Sequence, residues 1–174
     1  MPDPATIQPR MPNIAELVPA ALKAMFALAK AAEHEQLPET TRALVHLRAS
    51  QINGCSHCSE MHARQLKDAG ESDERIWAVA AWREAPYFTK PERAALALTE
   101  AVTRLADRPD PVPDEIWDQA ARHYDQTALA ALLIEIASIN AWNRFQVSTR
   151  QLAGSGPRLP VRRVGAALSA RIAP

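Results

Sequence analysis

The sequence predicts an all-α protein, and three observations support this class. About a fifth of the 174 residues are alanine and only 5 are glycine, a composition that favours helices over sheets. Apolar residues recur at the three- and four-residue spacing of a helix, and no run shows the alternation of a half-buried strand. The length fits one domain with a sizeable core. We therefore predict a single-domain bundle of about seven helices.

The first three helices are separated by clear breaks. A helix is predicted from 13 to 34, with Pro19 either tolerated in its first turn or marking its true start. A second runs from Glu39 to about Ile52. The third opens at about Cys55 and ends at 68 or 69, before a glycine suited to a helix C-terminus.

The remaining four helices have recognisable starts. Ser72 is a plausible cap for a short fourth helix, and Thr89 for a fifth that begins with a proline and an early acid. The sixth is predicted over 113–124. The seventh, over 125–151, is the most apolar, so we expect it to be covered on more than one side and expect the chain to form a homo-oligomer.

Changes in composition predict the limits of the domain. Residues 1–12 are rich in proline and read as an N-terminal extension, and 13–153 carry the helical pattern. Residues 154–174 lose the periodicity and gain glycine, proline and arginine, as is typical of an arm or a poorly ordered end.

Charge and cysteine content exclude several functions. The 20 basic and 20 acidic residues are scattered and give a net charge of zero, so no electrostatic footprint for nucleic acid is present. We find neither a signal peptide nor a run of about 18 to 20 apolar residues that could span a membrane, and we expect a cytoplasmic protein. The 2 cysteines are too few for a secreted disulfide framework, and their CxxC spacing is typical of redox or metal chemistry.

The chemistry is most readable at the start of the third helix. Cys55 and Cys58 lie in its first turn, where unpaired amides and the helix dipole favour thiolates. Three residues apart, they can form a disulfide with little movement. His62 stands one turn after Cys58 on the same face, so it can take up and return the thiol proton. We expect His57 to point to another face and leave it out.

Two plainer interpretations stay open for these residues. Cys55, Cys58 and His62 could bind zinc, but structural zinc is usually four-coordinate and only the distant His123 could complete the site. The thiols could also be inert packing residues, since free cysteine is often buried. We expect redox chemistry, with no metal and no cofactor.

Three segments of the chain carry a family resemblance. They read LRASQINGCSHCSEMH, FTKPERAALALTEAV and IASINAWNRFQVST. Together they resemble the alkylhydroperoxidase AhpD-like branch of the carboxymuconolactone decarboxylase family over roughly residues 14–153. The resemblance implies an all-helical fold with the CxxC at a helix start, assembled as trimers or hexamers.

The resemblance also implies a thiol-dependent peroxidase acting on hydrogen peroxide or alkyl hydroperoxides. In this family the second cysteine, here Cys58, attacks the hydroperoxide, and the first, here Cys55, resolves the sulfenic acid. His62 matches the histidine of the proton relay. An external dithiol, either a lipoylated or a thioredoxin-like protein, would then reduce the disulfide.

One position departs from the family pattern. The branch usually has a glutamate twelve residues before the first cysteine, where this chain has Ala43. The relay therefore lacks its carboxylate, and either activity is weakened or another group substitutes. His46 and, less favourably, Glu39 lie near the same helix face, and a water could also fill the space.

Two other functions remain as alternatives. A lactone decarboxylase of the same family would not need the cysteine pair, and a non-catalytic redox sensor would form the disulfide without turnover. Asn140 and Asn143, on the last helix, are expected to bridge neighbouring helices, because buried amides need hydrogen bonds. Gln51 and Asn53 are expected to hold the turn before Cys55.

Overall fold

The computed structural model describes residues 7–107 and 109–155, and within them all regular secondary structure is helical. Two short 3₁₀ segments, Ala78–Ala81 and Leu105–Asp107, accompany eight α-helices. The α-helices are α1 (Ile14–Leu17), α2 (Pro19–Ala31), α3 (Glu39–Ile52), α4 (Ser56–Asp68), α5 (Asp73–Trp77), α6 (Lys90–Thr103), α7 (Asp114–Ala121) and α8 (Gln126–Thr149). The predicted all-α class is confirmed.

The helix predicted over 13–34 is divided in two at Pro19. Val18, with φ −131° and ψ 71°, is not helical, and Pro19 begins α2. A proline disfavours the helical conformation of the residue before it but suits the first position of a helix, where its missing N–H is not needed. Pro19 thus marks a true start, and this break accounts for eight helices in the described residues where about seven were predicted.

Helices α5, α6 and α8 begin at side-chain caps that agree with their predicted starts. Ser72 Oγ accepts a hydrogen bond from the Arg75 amide at the start of α5. Thr89 and Glu92 form a complete capping box at α6, and Asp125 accepts from the Ala128 amide at 2.8 Å to open α8. Each cap satisfies amides that the first turn of a helix leaves without partners.

Helix α8 is the centre of the bundle. It packs against α2, α3, α4, α6 and α7, and its Leu132 and Ile136 are fully buried. The predicted covering of this helix on several sides is confirmed. Its apolar run over 129–139 is therefore explained largely by the chain's own core and does not by itself indicate a second copy.

A buried amide network fixes the turn between α3 and α4 onto α8. Asn53 Nδ2 donates to Asn140 Oδ1 at 3.0 Å and to Asn143 Oδ1 at 2.9 Å. Asn143 Nδ2 in turn donates to Ser50 Oγ at 3.0 Å. Gly54 follows with φ 67°, a left-handed conformation that glycine adopts without strain. The asparagines thus bridge helices, as predicted, and hold the backbone that leads into Cys55.

No helix in the described ranges has the length and apolarity needed to cross a bilayer. Most of the predicted C-terminal arm, residues 156–174, lies outside the described residues, as do residues 1–6 of the predicted extension.

Candidate active site

The two cysteines are joined at the N-terminus of α4. Cys55 and Cys58 form a disulfide with their Cα atoms 5.4 Å apart, and both residues are buried. Cys55 is also the N-cap, since its Sγ accepts a hydrogen bond from the Cys58 amide at 3.2 Å. On reduction, the same amides and the positive end of the helix dipole would stabilise a thiolate.

A cavity of about 270 Å³ lies beside Cys58 and is walled by α2, α3, α4 and α8. Much of its wall is apolar, formed by Leu22, Phe26, Ala29, Met61, Ile139 and Trp142. Its polar members include His46, His57, Cys58, His62, Gln65, Glu135 and Ser138. The cavity therefore suits a small, mainly apolar molecule with a polar group directed at the sulfur.

His62 lies in this cavity with its tautomer set by neighbours. The Gln65 amide nitrogen donates to Glu39 at 3.4 Å, so the amide oxygen of Gln65 is the atom that faces His62. This Oε1 accepts a hydrogen bond from His62 Nδ1 at 3.2 Å. The Nε2 atom of His62 is buried and finds no hydrogen-bond partner among the described residues. It thus presents a free lone pair, as a base must. Burial, followed by the charge of His46, lowers the pKa of His62 to about 3, so the imidazole is neutral at pH 7.

His46, predicted as a possible relay substitute, lies against His62. The two ring centroids are 4.8 Å apart in an edge contact. On its other side, His46 Nε2 is 2.8 Å from Glu135 Oε2. Glu135 is almost completely buried and also accepts from Arg42 Nη1 at 3.4 Å. A carboxylate is therefore present behind His62, but it comes from α8 rather than from α3.

Ala43 and Glu39, the other α3 residues considered from the sequence, do not line the cavity. Ala43 is buried in an apolar cluster that joins α3 to α4, α5 and α6, and it is not part of the cavity wall. Glu39 is the first residue of α3 and reaches His62 only indirectly, through Gln65. Neither residue therefore places a carboxylate in the cavity.

Three cavity residues were missed or misplaced by the sequence reasoning. His57 was expected on another face, yet it lines the cavity and its Nδ1 donates to the Leu152 carbonyl at 3.0 Å. Ser138 contributes a buried hydroxyl with no partner in the described part of the chain. Glu135 had a readable indication: it is the only acid in α8, and an acid among apolar residues needs a partner.

Cys55 borders a different opening from Cys58. A second pocket, of about 210 Å³, is lined by Cys55, Gly54, Val147, Arg150 and Leu152, among others. Cys58 is not part of its wall, and Cys55 is not part of the wall of the apolar cavity. The two sulfur-bearing residues of one disulfide thus face two separate spaces.

His123, the histidine considered for a zinc site, is exposed after α7 and takes no part in the cavity. Within the ranges that the structure describes, no group of three or more His, Cys, Asp and Glu side chains is arranged to hold a metal ion.

Comparison with known proteins agrees with this architecture. The family model "Carboxymuconolactone decarboxylase family" matches residues 19–101. The uncharacterized protein YdfG of Bacillus subtilis (strain 168) is 34% identical over 140 residues, which are 80% of this chain and 94% of YdfG. The chain belongs to the carboxymuconolactone decarboxylase family.

Solved structures place this family member in the AhpD-like branch. A protein of unknown function from Agrobacterium tumefaciens, described as a candidate antioxidant defence protein AhpD, has a TM-score of 0.77 at 34% identity. The match covers 84% of this chain and 98% of that one. The debrominase Bmp8 has a TM-score of 0.67 at 20% identity, covering 78% of this chain and 70% of its own, and shares the fold alone.

Proposed function

We propose that the protein is a thiol-dependent peroxidase that reduces hydrogen peroxide or alkyl hydroperoxides. One observation carries this proposal: Cys58 of a Cys55–Cys58 disulfide and His62, whose buried Nε2 has no partner among the described residues, line one mainly apolar cavity. A reactive thiol, a resolving thiol and a base are the groups that peroxide reduction requires.

In the first half-reaction Cys58 is oxidised. Its thiol gives its proton to His62, and the thiolate attacks the terminal oxygen of the hydroperoxide. A sulfur–oxygen bond forms, the oxygen–oxygen bond breaks, and the departing alkoxide takes the proton back from the imidazolium. The products are an alcohol, or water from hydrogen peroxide, and Cys58 sulfenic acid. His46 is proposed as the second group of this relay, on the basis of its contact with His62.

In the second step Cys55 resolves the sulfenic acid. Its thiolate attacks the Cys58 sulfur, a disulfide forms, and the hydroxide leaves with a proton as water. An external dithiol then restores both thiols by two exchange steps and is itself oxidised to a disulfide. We propose that it attacks Cys55, because Cys55 borders a pocket separate from the peroxide cavity.

The character of the cavity wall favours organic hydroperoxides over hydrogen peroxide. Side chains such as Phe26, Met61 and Trp142 offer apolar area that only a carbon-containing substrate can cover. Hydrogen peroxide gains nothing from these contacts, so we expect it to have the higher KM.

The proposal extends to the oligomeric state of the protein and to the cellular compartment in which it acts. Exposed apolar side chains are present on α1 and α2 and near the end of α8, namely Leu17, Phe26, Leu28 and Val147, with Val18 between the first two helices. We propose that this surface is covered by further copies of the chain in a trimer or hexamer, which light scattering would detect. Because turnover needs a dithiol supply, we place the activity in the reducing cytoplasm.

Thiol stoichiometry in single turnover tests the proposal. The fully reduced protein, treated with one equivalent of cumene hydroperoxide, should lose two thiols per chain rapidly. Cys58→Ser should be unreactive. The matched variant Cys55→Ser, which keeps a capping side chain at the start of α4, should stop at a sulfenic acid that dimedone traps. Thiols that survive many minutes of excess peroxide would contradict the proposal, and a lactone decarboxylase would work without either cysteine.

A further inference from the structure

Glu135 is the only carboxylate among the described residues that line the Cys58 cavity. It enters from α8, and its two oxygens have different partners: Oε2 lies 2.8 Å from His46 Nε2, and Oε1 accepts from Arg42 at 3.4 Å. The carboxyl side chain is 1% exposed. A buried acid in an otherwise apolar stretch is costly and persists only when it is paired.

The pairing continues towards the reactive sulfur. His46 lies between Glu135 and His62, with its ring centroid 4.8 Å from that of His62. His62 shares the cavity wall with Cys58. Helices α8, α3 and α4 thus contribute, in this order, the carboxylate of Glu135, the imidazole of His46 and the imidazole of His62.

We infer that Glu135, acting through His46, is a positioning residue that holds the proton released by Cys58 until His62 returns it to the leaving oxygen. This inference rests on the proposed peroxidase function and deepens it. The carboxylate orients His46 by accepting its Nε2–H, and its negative charge offsets the positive charge that an imidazolium brings into the cavity. No oxidant or reductant beyond the hydroperoxide is involved.

The surroundings of His62 explain why a second group is needed. Facing it are His46 from α3, His57 and Gln65 from its own helix, and Glu135 from α8 behind His46. Burial and the two neighbouring histidines disfavour a proton on His62 in the disulfide form. Gln65 favours the protonated form through its hydrogen bond to His62, and Glu135 is the only carboxylate among these groups, in direct contact with His46.

Two oxidants with different leaving groups test this role. Cumene hydroperoxide expels a basic alkoxide that needs a proton, whereas peracetic acid expels acetate, which leaves as a stable anion. Glu135→Gln should lower the single-turnover rate of Cys58 oxidation by cumene hydroperoxide by about 10- to 100-fold. The rate with peracetic acid should fall much less, because both oxidants need the Cys58 thiolate but only the alkoxide needs the proton returned. The ratio of the two rates is therefore the readout, since a general loss of structure would lower both equally.

A second variant and a control make the test independent of folding. His46→Gln should shift the ratio in the same direction, and the double variant should shift it no further, because the two residues act as one unit. Glu100→Gln is the matched control. Glu100 is also a buried carboxylate, paired with Arg48 and Trp82, but it is absent from the cavity wall and should leave the ratio unchanged.

The possible outcomes distinguish a failure of this inference from a failure of the proposed peroxidase function. An equal loss of both rates in Glu135→Gln and His46→Gln, or no change in either, overturns the role of Glu135 while the parent protein still reduces peroxide. A parent protein whose thiols resist both oxidants overturns the peroxidase proposal itself, and the relay with it.

Discussion

Replacing His62 by glutamine should remove an acid-sensitive part of the stability of the oxidised protein. Burial, and then the charge of His46, lowers the pKa of His62 from 6.5 to about 3. Between these two values the unfolded chain binds a proton that the folded chain does not. The free energy of unfolding contributed by this site is therefore fully present above about pH 6.5 and falls progressively as the pH is lowered towards 3.

The size of the effect follows from the two pKa values of His62. Each pKa unit corresponds to about 1.4 kcal/mol, so lowering the pH from 7 to 5 should remove about 2 kcal/mol through this residue. For a protein of this length such a loss lowers Tm by about 4 to 8 °C. The relevant quantity is the difference between parent and variant, because it isolates the contribution of His62.

Urea unfolding of the disulfide form at pH 7 and pH 5 measures that difference. The parent should lose about 2 kcal/mol more than His62→Gln between the two pH values. His123→Gln, at an exposed position, is the matched control and should follow the parent. Equal losses in the parent and His62→Gln would refute the reasoning, because they would mean that the folded protein accommodates the imidazolium as readily as water does.

Three further predictions concern the cavity and the start of α4. Phe26 contributes an aromatic part of the cavity wall, with its ring centroid 6.3 Å from that of Trp142. Phe26→Ala should therefore raise the KM for cumene hydroperoxide about 3- to 10-fold in steady-state assays and leave the KM for hydrogen peroxide within about twofold. An equal rise of both KM values would contradict an apolar subsite. Ser138→Ala removes a buried hydroxyl that has no partner among the described residues, so the free energy of unfolding in urea should be unchanged or up to about 1 kcal/mol higher. A clear loss would mean that the hydroxyl is bonded in the folded protein. Cys55→Ala lacks both the disulfide and the N-cap, whereas Cys55→Ser lacks only the disulfide. The free energy of unfolding in urea should therefore be about 1 kcal/mol lower for Cys55→Ala than for Cys55→Ser. Equal values would argue against a capping role for residue 55.

Local sequence patterns predicted much of the fold and the core of the site. Caps at Ser72 and Thr89 act within one turn of the residues they serve, so the helix starts could be read directly. The arrangement of Cys55, Cys58 and His62 is equally local, because side chains three and four positions apart share a helix face whatever surrounds the helix. The pattern left the break at Pro19 open, because a proline is tolerated in the first turn of a helix and also suits a helix start.

The carboxylate behind His62 could not be located in this way. The residue that pairs with His46 depends on how α8 is rotated about its axis relative to α3. The sequence does not show the relative rotation of two helices that are distant along the chain. Ala43 shows only that α3 supplies no carboxylate at that position, which does not exclude a carboxylate from another helix. The prediction that His57 points away from the site was wrong for a related reason. Four helices wall the cavity, and side chains from more than one face of α4 line it.

The sequence by itself determined the helical class, the disulfide-capable pair and the histidine one turn beyond it, since these features depend on spacing within single helices. Only the tertiary structure decided that Glu135 stands behind His46 and that Cys58 and Cys55 border two different spaces. Those relations arise where α8 crosses α3 and α4, and they are governed by packing and by the pairing of buried polar groups rather than by distance along the chain.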